Sequence, residues 1–248
     1  MRFKEFGNRN QPSVVLIHGL FVSWEIFLPI VNELKNDFHL IVPMLDGHIY
    51  DNGMSEPSLF TTIDDEAHGI CDYLQKNDLS QIYCVYGISL GGGIAARLTE
   101  LNRCKVKHLI IDAGPILPYG TMFTLFCSYY QALNCWCTCH FATLYKKLFH
   151  SHYFQVAIDE VQKTYPSGGM RTPINVYKSL YAYQLTTIPA ETSVEFWHGS
   201  KETWIFQRCV NHILKVRPDT SIIVFPKMQH AQVVIDKPEI IVEKIRNK

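Results

Sequence analysis

The pentapeptide Gly87-Ile88-Ser89-Leu90-Gly91 follows an apolar run, residues 82–86, and precedes a segment rich in small residues, 92–101. This order predicts a strand that turns sharply into a helix with Ser89 at the tip. The serine hydroxyl would face solvent there, and the first N–H groups of the helix would face any oxyanion formed beside it. Alone, the pattern also occurs by chance in loops, so its surroundings decide the interpretation.

Two further stretches favour the catalytic interpretation. Val14-Val15-Leu16-Ile17-His18-Gly19-Leu20 reads as a buried strand that runs into a His-Gly turn, and residues 221–225 read as another strand, followed by His230 in a short polar loop. The resulting chain order is Ser89, an acid, then His230. This order and its strand context resemble the α/β-hydrolase superfamily over nearly the whole chain, in particular its lid-bearing serine esterase and lipase-like branch.

Composition agrees with one globular α/β domain that carries an insertion. The 248 residues include 47% hydrophobic and 19% charged residues, which is ordinary for a protein with a full core. Lysine plus arginine and aspartate plus glutamate both number 23, and no basic cluster alternates with aromatic residues. We therefore expect neither nucleic acid nor an anionic membrane as a partner.

The N-terminus has charges where a signal peptide would need an apolar core, and no apolar run approaches the ~18 residues that span a bilayer. These features predict a cytoplasmic protein without a stable membrane anchor. The eight cysteines are expected to remain free thiols that pack as small apolar side chains. Whether the chain is a monomer or a homodimer stays open.

Strand-like and helix-like segments alternate along most of the chain, which predicts a mostly parallel, doubly wound α/β sheet. One strand is expected at residues 38–42, ended by Pro43, and a capping box is expected at residues 62–65. The alternation stops for about seventy residues after Asp112, too long for a structureless loop. We therefore expect a core of residues 1–115 and 188–248, and an aromatic-rich helical insertion, residues 116–187, with a turn at residues 166–169. The resemblance implies that this insertion is a lid.

The resemblance implies Ser89 as nucleophile and His230 as base, with a solvated loop histidine as the less favoured alternative for His230. A carboxylate must hold the imidazole in one tautomer. Glu202 directly follows the penultimate strand, and it is favoured over Asp112, which could instead anchor the start of the insertion through N–H bonds. The oxyanion would be bound by the backbone N–H groups of Leu90 and Leu20.

The substrate pocket is expected to include side chains from both parts of the chain. Phe21 and Trp24 follow the His-Gly turn, and Phe123 and Phe126 lie in the insertion. For each of them ordinary core packing is the alternative, and the insertion aromatics could also pack on one another or form a dimer contact.

Cys135-Trp136-Cys137-Thr138-Cys139-His140 contains residue types that bind zinc, but zinc sites usually separate paired cysteines by two to four residues and need a second pair of ligands. On a helix only Cys135 and Cys139 would share a face. We expect no metal and no cofactor, and an apolar lid helix at this position.

These features together predict a serine hydrolase, carboxylesterase-like, that cleaves a small or medium acyl ester through an acyl-enzyme. Its partner would be a small-molecule acyl substrate. The same constellation serves thioesterases, amidases, carbon–carbon bond hydrolases and perhydrolases. A small-molecule receptor or pseudoenzyme that keeps the fold is a further alternative.

Overall fold

The computed structural model describes residues 1–247. Its main sheet contains the strands β1 (Arg2–Phe6), β2 (Ser13–Ile17), β3 (His39–Met44), β6 (Gln81–Ile88), β7 (Lys105–Asp112), β8 (Ser193–Gly199) and β9 (Ser221–Phe225). A small hairpin is formed by β4 (Tyr50–Asp51) and β5 (Met54–Ser55). The strand order across the main sheet is β1-β3-β2-β6-β7-β8-β9, and every pairing is parallel except that of β1 with β3.

Ten α-helices accompany the strands within residues 1–247. They are α1 (Leu28–Leu34), α2 (Ile63–Lys76), α3 (Leu90–Leu101), α4 (Thr121–His140), α5 (Ala142–Leu148), α6 (His152–Gly168), α7 (Arg171–Leu180), α8 (Thr203–Val216), α9 (Val233–Asp236) and α10 (Pro238–Arg246). Two short 3-10 turns cover Trp24–Phe27 and Ser200–Glu202.

Helices cover both faces of the sheet, as the side-chain alternation of β2 shows. Val15 and Ile17 pack with α2, α3 and α8, while Val14 and Leu16 pack with α1 and α10 on the other face. All five residues of β2 are buried, which is typical of a parallel strand covered on both sides. The predicted doubly wound, mostly parallel sheet is therefore confirmed.

Helices α4 to α7 follow one another between β7 and β8, where the alternation of strands and helices was expected to stop. We call residues 116–187 the helical insertion. Helix α4 packs mainly on α7 and α6, and α6 contacts α9 of the sheet layer. The insertion thus lies against the core near the carboxyl ends of the strands.

Two expectations about proline were wrong. Strand β3 continues through Pro43 to Met44, because β2 pairs only with the first half of β3 and Pro43 has only β1 beside it. A missing N–H is tolerated where one side of a strand is unpaired. The expected turn at residues 166–169 is instead the last turn of α6, which ends at Gly168.

Contacts with the loop before α2 explain why α6 continues past Pro166. The hydroxyl of Ser167 donates to the Glu56 carbonyl at 2.6 Å and accepts the Ile49 N–H at 3.0 Å. The backbone carbonyl of Ser167 accepts the Ser58 N–H at 3.0 Å. These tertiary hydrogen bonds outweigh the local preference of the Pro-Ser-Gly-Gly sequence for a turn.

Candidate active site

Ser89 lies between β6 and α3 with φ 53° and ψ −111°, a backbone conformation that costs a non-glycine residue roughly 1–3 kcal/mol. Its N–H donates to the carbonyl of Asp112, the last residue of β7, at 2.7 Å. A Cβ on Gly91 would overlap the carbonyl oxygens at the end of β2, and one on Gly87 would overlap the Gly91 carbonyl. The glycines therefore permit the tight turn that exposes the serine.

His230 lies within hydrogen-bond distance of both Ser89 and Glu202. Its Nε2 is 2.8 Å from the Ser89 Oγ, and its Nδ1 is 2.7 Å from Oε2 of Glu202. An ionised carboxylate can only accept, so Nδ1 carries the proton and Nε2 is free to accept from the hydroxyl. This is the tautomer that a general base needs toward a serine.

The Glu202 side chain is buried, and both of its oxygens are occupied. Oε1 accepts the Gly199 N–H at 3.0 Å while Oε2 faces the imidazole. A Cβ on Gly199 would overlap the carbonyl oxygens of Met228 and Gln229, and the Lys201 N–H donates to the Met228 carbonyl at 3.1 Å. The turn after β8 and the loop that carries His230 therefore lie backbone against backbone, which brings Glu202 to His230.

Asp112, the alternative acid, lies beneath the site and bonds elsewhere. It is 1% exposed, and its Oδ2 accepts the hydroxyl of Tyr86 at 2.7 Å. Burial raises the pKa of Asp112 to about 7, even though the hydrogen bond from Tyr86 and the nearby His230 act in the opposite direction. The structure brings Glu202, and not Asp112, to Nδ1 of His230.

The two residues expected to bind an oxyanion flank the serine. Leu90 is the first residue of α3, and the first N–H groups of a helix have no carbonyl partner within it. Leu20 follows Gly19, where an added Cβ would lie 3.6 Å from the Ser89 Cβ. The backbones at Gly19 and at Leu90 therefore both lie close to the serine side chain.

His18 fixes the turn that carries Leu20. Burial lowers the pKa of His18 to about 4, so the ring is neutral at neutral pH. Its Nδ1 lies 3.0 Å from the Gly19 carbonyl, and its Nε2 accepts the Leu45 N–H at 3.2 Å. The Nδ1 proton therefore donates to the carbonyl, and the ring ties the His-Gly turn to the segment after β3.

A pocket of about 260 Å³ opens on Ser89 and His230. Its wall combines residues of the sheet layer with residues of α4, α6 and α7. Most of the lining is apolar, and the lining residues include Phe21, Val22, Ile26, Tyr153, Glu160 and Val161. A carbonyl group bound here would lie against the serine with its substituents in an apolar cavity.

Three of the four expected pocket residues lie elsewhere. Trp24 stacks on Phe6 at 5.7 Å and packs against the side of the core that contains α1 and α10. Phe123 and Phe126 are 50% and 67% exposed on the outer side of α4, where Phe126 stacks on Tyr130. The expectation for Trp24 was wrong because its ring packs on Phe6, and those for Phe123 and Phe126 were wrong because helical spacing does not reveal which face of α4 turns inward. Phe21 does line the pocket.

Sequence reasoning missed the contribution of α6. The Tyr153 hydroxyl donates to the backbone carbonyl of His230 at 2.9 Å, so the insertion contacts the loop of His230 directly. The next residue after His230, Ala231, has φ 49° and belongs to a strained loop. No sequence motif signals this contact, because a tyrosine near the start of a helix is common on surfaces.

The cysteines of α4 differ in their surroundings. Cys135 is buried in the pocket wall, and burial raises the pKa of its thiol to about 12. Cys137 and Cys139 are half-buried. Within residues 1–247 no group of three or more His, Cys, Asp or Glu side chains is placed to share a metal ion, and no helix is long and apolar enough to cross a membrane.

Comparison with known proteins agrees with this architecture. The sequence profile of the alpha/beta hydrolase fold matches residues 12–131, the segment that contains the His-Gly turn and Ser89. No curated protein sequence is significantly similar to the chain.

Solved structures extend the likeness to the whole chain. An alpha/beta hydrolase family protein from Desulfitobacterium hafniense is 22% identical with a TM-score of 0.80, and 99% of each chain is covered. A carboxylesterase from Nitrososphaera gargenis is 19% identical, with a TM-score of 0.74 and coverage of 99% of this chain and 92% of that one. An esterase from Thermogutta terrifontis is 17% identical, with a TM-score of 0.71 and coverage of 99% and 91%.

At these sequence identities the solved structures show a shared fold. The sequence profile also matches the strand-to-helix turn around Ser89. Sheet order, turn and sequence profile agree: the chain has the α/β-hydrolase fold, and residues 12–131 match the sequence profile of that family.

Proposed function

We propose that the protein is a serine hydrolase that cleaves a small or medium acyl ester, with Ser89 as nucleophile, His230 as base and Glu202 as the acid that orients it. The observation that carries this proposal is the chain of two short contacts, 2.8 Å from Ser89 to His230 and 2.7 Å from His230 to Glu202. The esterases among the structural neighbours support it by analogy of fold.

Each residue of the chain of contacts has one task. Nε2 of His230 takes the proton of the Ser89 hydroxyl as Oγ attacks the ester carbonyl, and the imidazolium is stabilised by the buried Glu202 carboxylate. The negative charge of the tetrahedral intermediate is bound by the N–H groups of Leu90 and Leu20. The imidazolium then gives its proton to the departing alcohol, and water attacks the acyl-enzyme by the same path in reverse.

The helical insertion, residues 116–187, would act as the cap of this pocket. Its helices supply Tyr153 and Val161 to the lining, and the apolar wall suits the hydrocarbon part of an acyl or alcohol group. An enclosed apolar wall also excludes water from the acyl-enzyme until the first product leaves.

Labelling with a fluorophosphonate probe followed by mass mapping tests the proposal directly. We expect one label per chain, on Ser89, and a loss of ester hydrolysis on the order of 10⁴ or more in Ser89→Ala. Ser221→Ala is the matched control, since this serine is exposed at the start of β9. A label on another serine, or undiminished hydrolysis by Ser89→Ala, would remove the basis of the assignment.

A further inference from the structure

One carboxylate in the pocket wall has no part in the proposed reaction. Glu160, on α6, is 4% exposed and lines the same cavity as Ser89. Most of its neighbours in the wall are apolar side chains, and a buried charge is costly unless it is paired and hydrogen-bonded.

The pairing of Glu160 is incomplete. Oε2 accepts the Ser23 N–H at 2.6 Å, and Oε1 accepts from Nζ of Lys163 at 2.9 Å. A carboxylate has about four acceptor positions, so two donors leave part of its capacity unused. The carboxylate, which lines the cavity, is therefore able to accept further hydrogen bonds.

Its partner Lys163 is shared. Nζ of Lys163 also lies 3.1 Å from Oε2 of Glu25, so one cation serves two carboxylates. Burial alone would lower the pKa of Lys163, but the bonds to Glu160 and Glu25 raise it, and the amine stays charged. Glu25, Lys163 and Glu160 together therefore carry an excess negative charge, part of which lies at the pocket wall.

A second polar group lies beside this carboxylate. Ser23 is fully buried, and its hydroxyl has no hydrogen-bond partner within residues 1–247, although its N–H is bound to Glu160. Buried hydroxyl groups normally find a partner, so the unpaired hydroxyl of Ser23, whose neighbour Val22 lines the pocket, adds a second polar group near the carboxylate.

We infer that Glu160 forms a subsite for a substrate group that donates hydrogen bonds, an ammonium or a hydroxyl, and that it disfavours substrates with a carboxylate in this part of the pocket. The inference rests on the proposed function, since it names the class of substrate that the same pocket accepts. Like charges facing each other in a poorly hydrated cavity repel strongly, whereas a cation or a neutral donor is attracted.

Binding of three ligands of equal chain length to the Ser89→Ala protein tests the inference without hydrolysis. We expect calorimetry to show that hexylammonium binds about tenfold or more tightly than hexanoate, with 1-hexanol between them. In the double variant Ser89→Ala/Glu160→Gln the affinities for the three ligands should lie within about twofold of one another, because glutamine still accepts the Ser23 N–H but carries no charge. If the double variant loses the preference for hexylammonium but binds 1-hexanol as tightly as before, the subsite accepts hydroxyl groups.

Glu25→Gln in the same background is the matched control, since Glu25 binds the same lysine but does not line the pocket. It should weaken the ammonium preference less than Glu160→Gln does, because it removes charge from the cluster but leaves the carboxylate in the pocket wall. Lys163→Met provides an independent variant and should increase that preference, because it removes the compensating cation. Equal affinities for the three ligands, absence of binding by all three, or equal effects of the two glutamine substitutions would overturn the inference.

The two proposals fail separately. If the fluorophosphonate probe leaves Ser89 unlabelled while the ammonium preference persists, the hydrolase function falls and the subsite at Glu160 stands. If Ser89 is labelled and the three ligands bind alike, the hydrolase function stands and the subsite falls.

Discussion

Oε2 of Glu202 lies 2.7 Å from Nδ1 of His230, and the two residues meet because the turn after β8 and the loop after β9 are in backbone contact. Glu202→Gln should lower turnover about 10²- to 10⁴-fold, since the imidazole loses the charge that orients and stabilises it. Asp112→Asn should cost much less, because Asp112 bonds to Tyr86. Steady-state rates of the two folded variants give the ranking, and the reverse order would make Asp112 the functional acid.

The hydrogen bond from Tyr153 to the His230 carbonyl predicts a positioning role for the insertion. Tyr153→Phe keeps the ring in the pocket wall but removes the donor, so we expect kcat to fall roughly tenfold with little change in KM, because the base is held less firmly. His152→Ala is the control, since the neighbouring His152 bonds to Asp236 instead. Unchanged kcat in Tyr153→Phe would show that the loop holds His230 without this contact.

The pocket lining predicts where acyl-chain preference is set. Val161 lines the cavity, whereas Phe126 lies on the outer side of α4. In a series of p-nitrophenyl esters from about two to twelve carbons, each buried methylene should add up to about 0.8 kcal/mol to kcat/KM selectivity until the cavity is full. Val161→Phe should move the optimum to shorter chains, and Phe126→Ala should leave it in place. A shift produced by Phe126→Ala alone would place the acyl chain outside this pocket.

Two neighbouring acids on α2 predict stability changes of opposite sign with pH. Burial, and then the nearby Asp46 carboxylate, raise the pKa of Glu66 from 4.5 to about 8. Its folded-state pKa is above its unfolded value, so its ionisation destabilises the folded protein progressively as pH rises from about 4.5 to 8. Glu66→Gln should change stability little at pH 4.5 and increase it by an amount on the order of 3 kcal/mol at pH 8.5.

Asp65→Asn is the matched comparison. Hydrogen bonds from the hydroxyls of Thr61 and Thr62 lower the pKa of Asp65, so its contribution is present above the unfolded pKa and is lost as pH falls. The substitution should destabilise the protein at neutral pH and become neutral in acid. Urea unfolding at several pH values measures both effects, and parallel profiles for the two variants would contradict the assignment.

The sequence predicted the structure correctly where a local pattern is compatible with only one backbone conformation. The strand-to-helix turn at Ser89 needs glycines at fixed offsets, and the apolar run of β2 can only be a strand buried on both faces. The choice of Glu202 after β8 and His230 after β9 depended instead on the resemblance to the α/β-hydrolase superfamily and its chain order, which left Asp112 open as the alternative acid.

Features set by long-range packing were not predictable. The orientation of α4, and with it the exposure of Phe123 and Phe126, depends on contacts with α6 and α7. Pro166 continues a helix because a loop more than a hundred residues earlier bonds to Ser167. Glu160 reads in sequence as an ordinary surface acid, and only the folded chain places it in the pocket wall.

The residues on the outer face of α4 also determine which proteases can cleave the insertion. No lysine or arginine occurs between Lys107 and Lys146, whereas Phe123, Phe126 and Tyr130 are exposed on this helix. Trypsin has no site within α4 even when the helix opens, while chymotrypsin has several as soon as it does. Limited digestion with the two proteases in parallel therefore reports the local opening of α4 separately from the unfolding of the sheet.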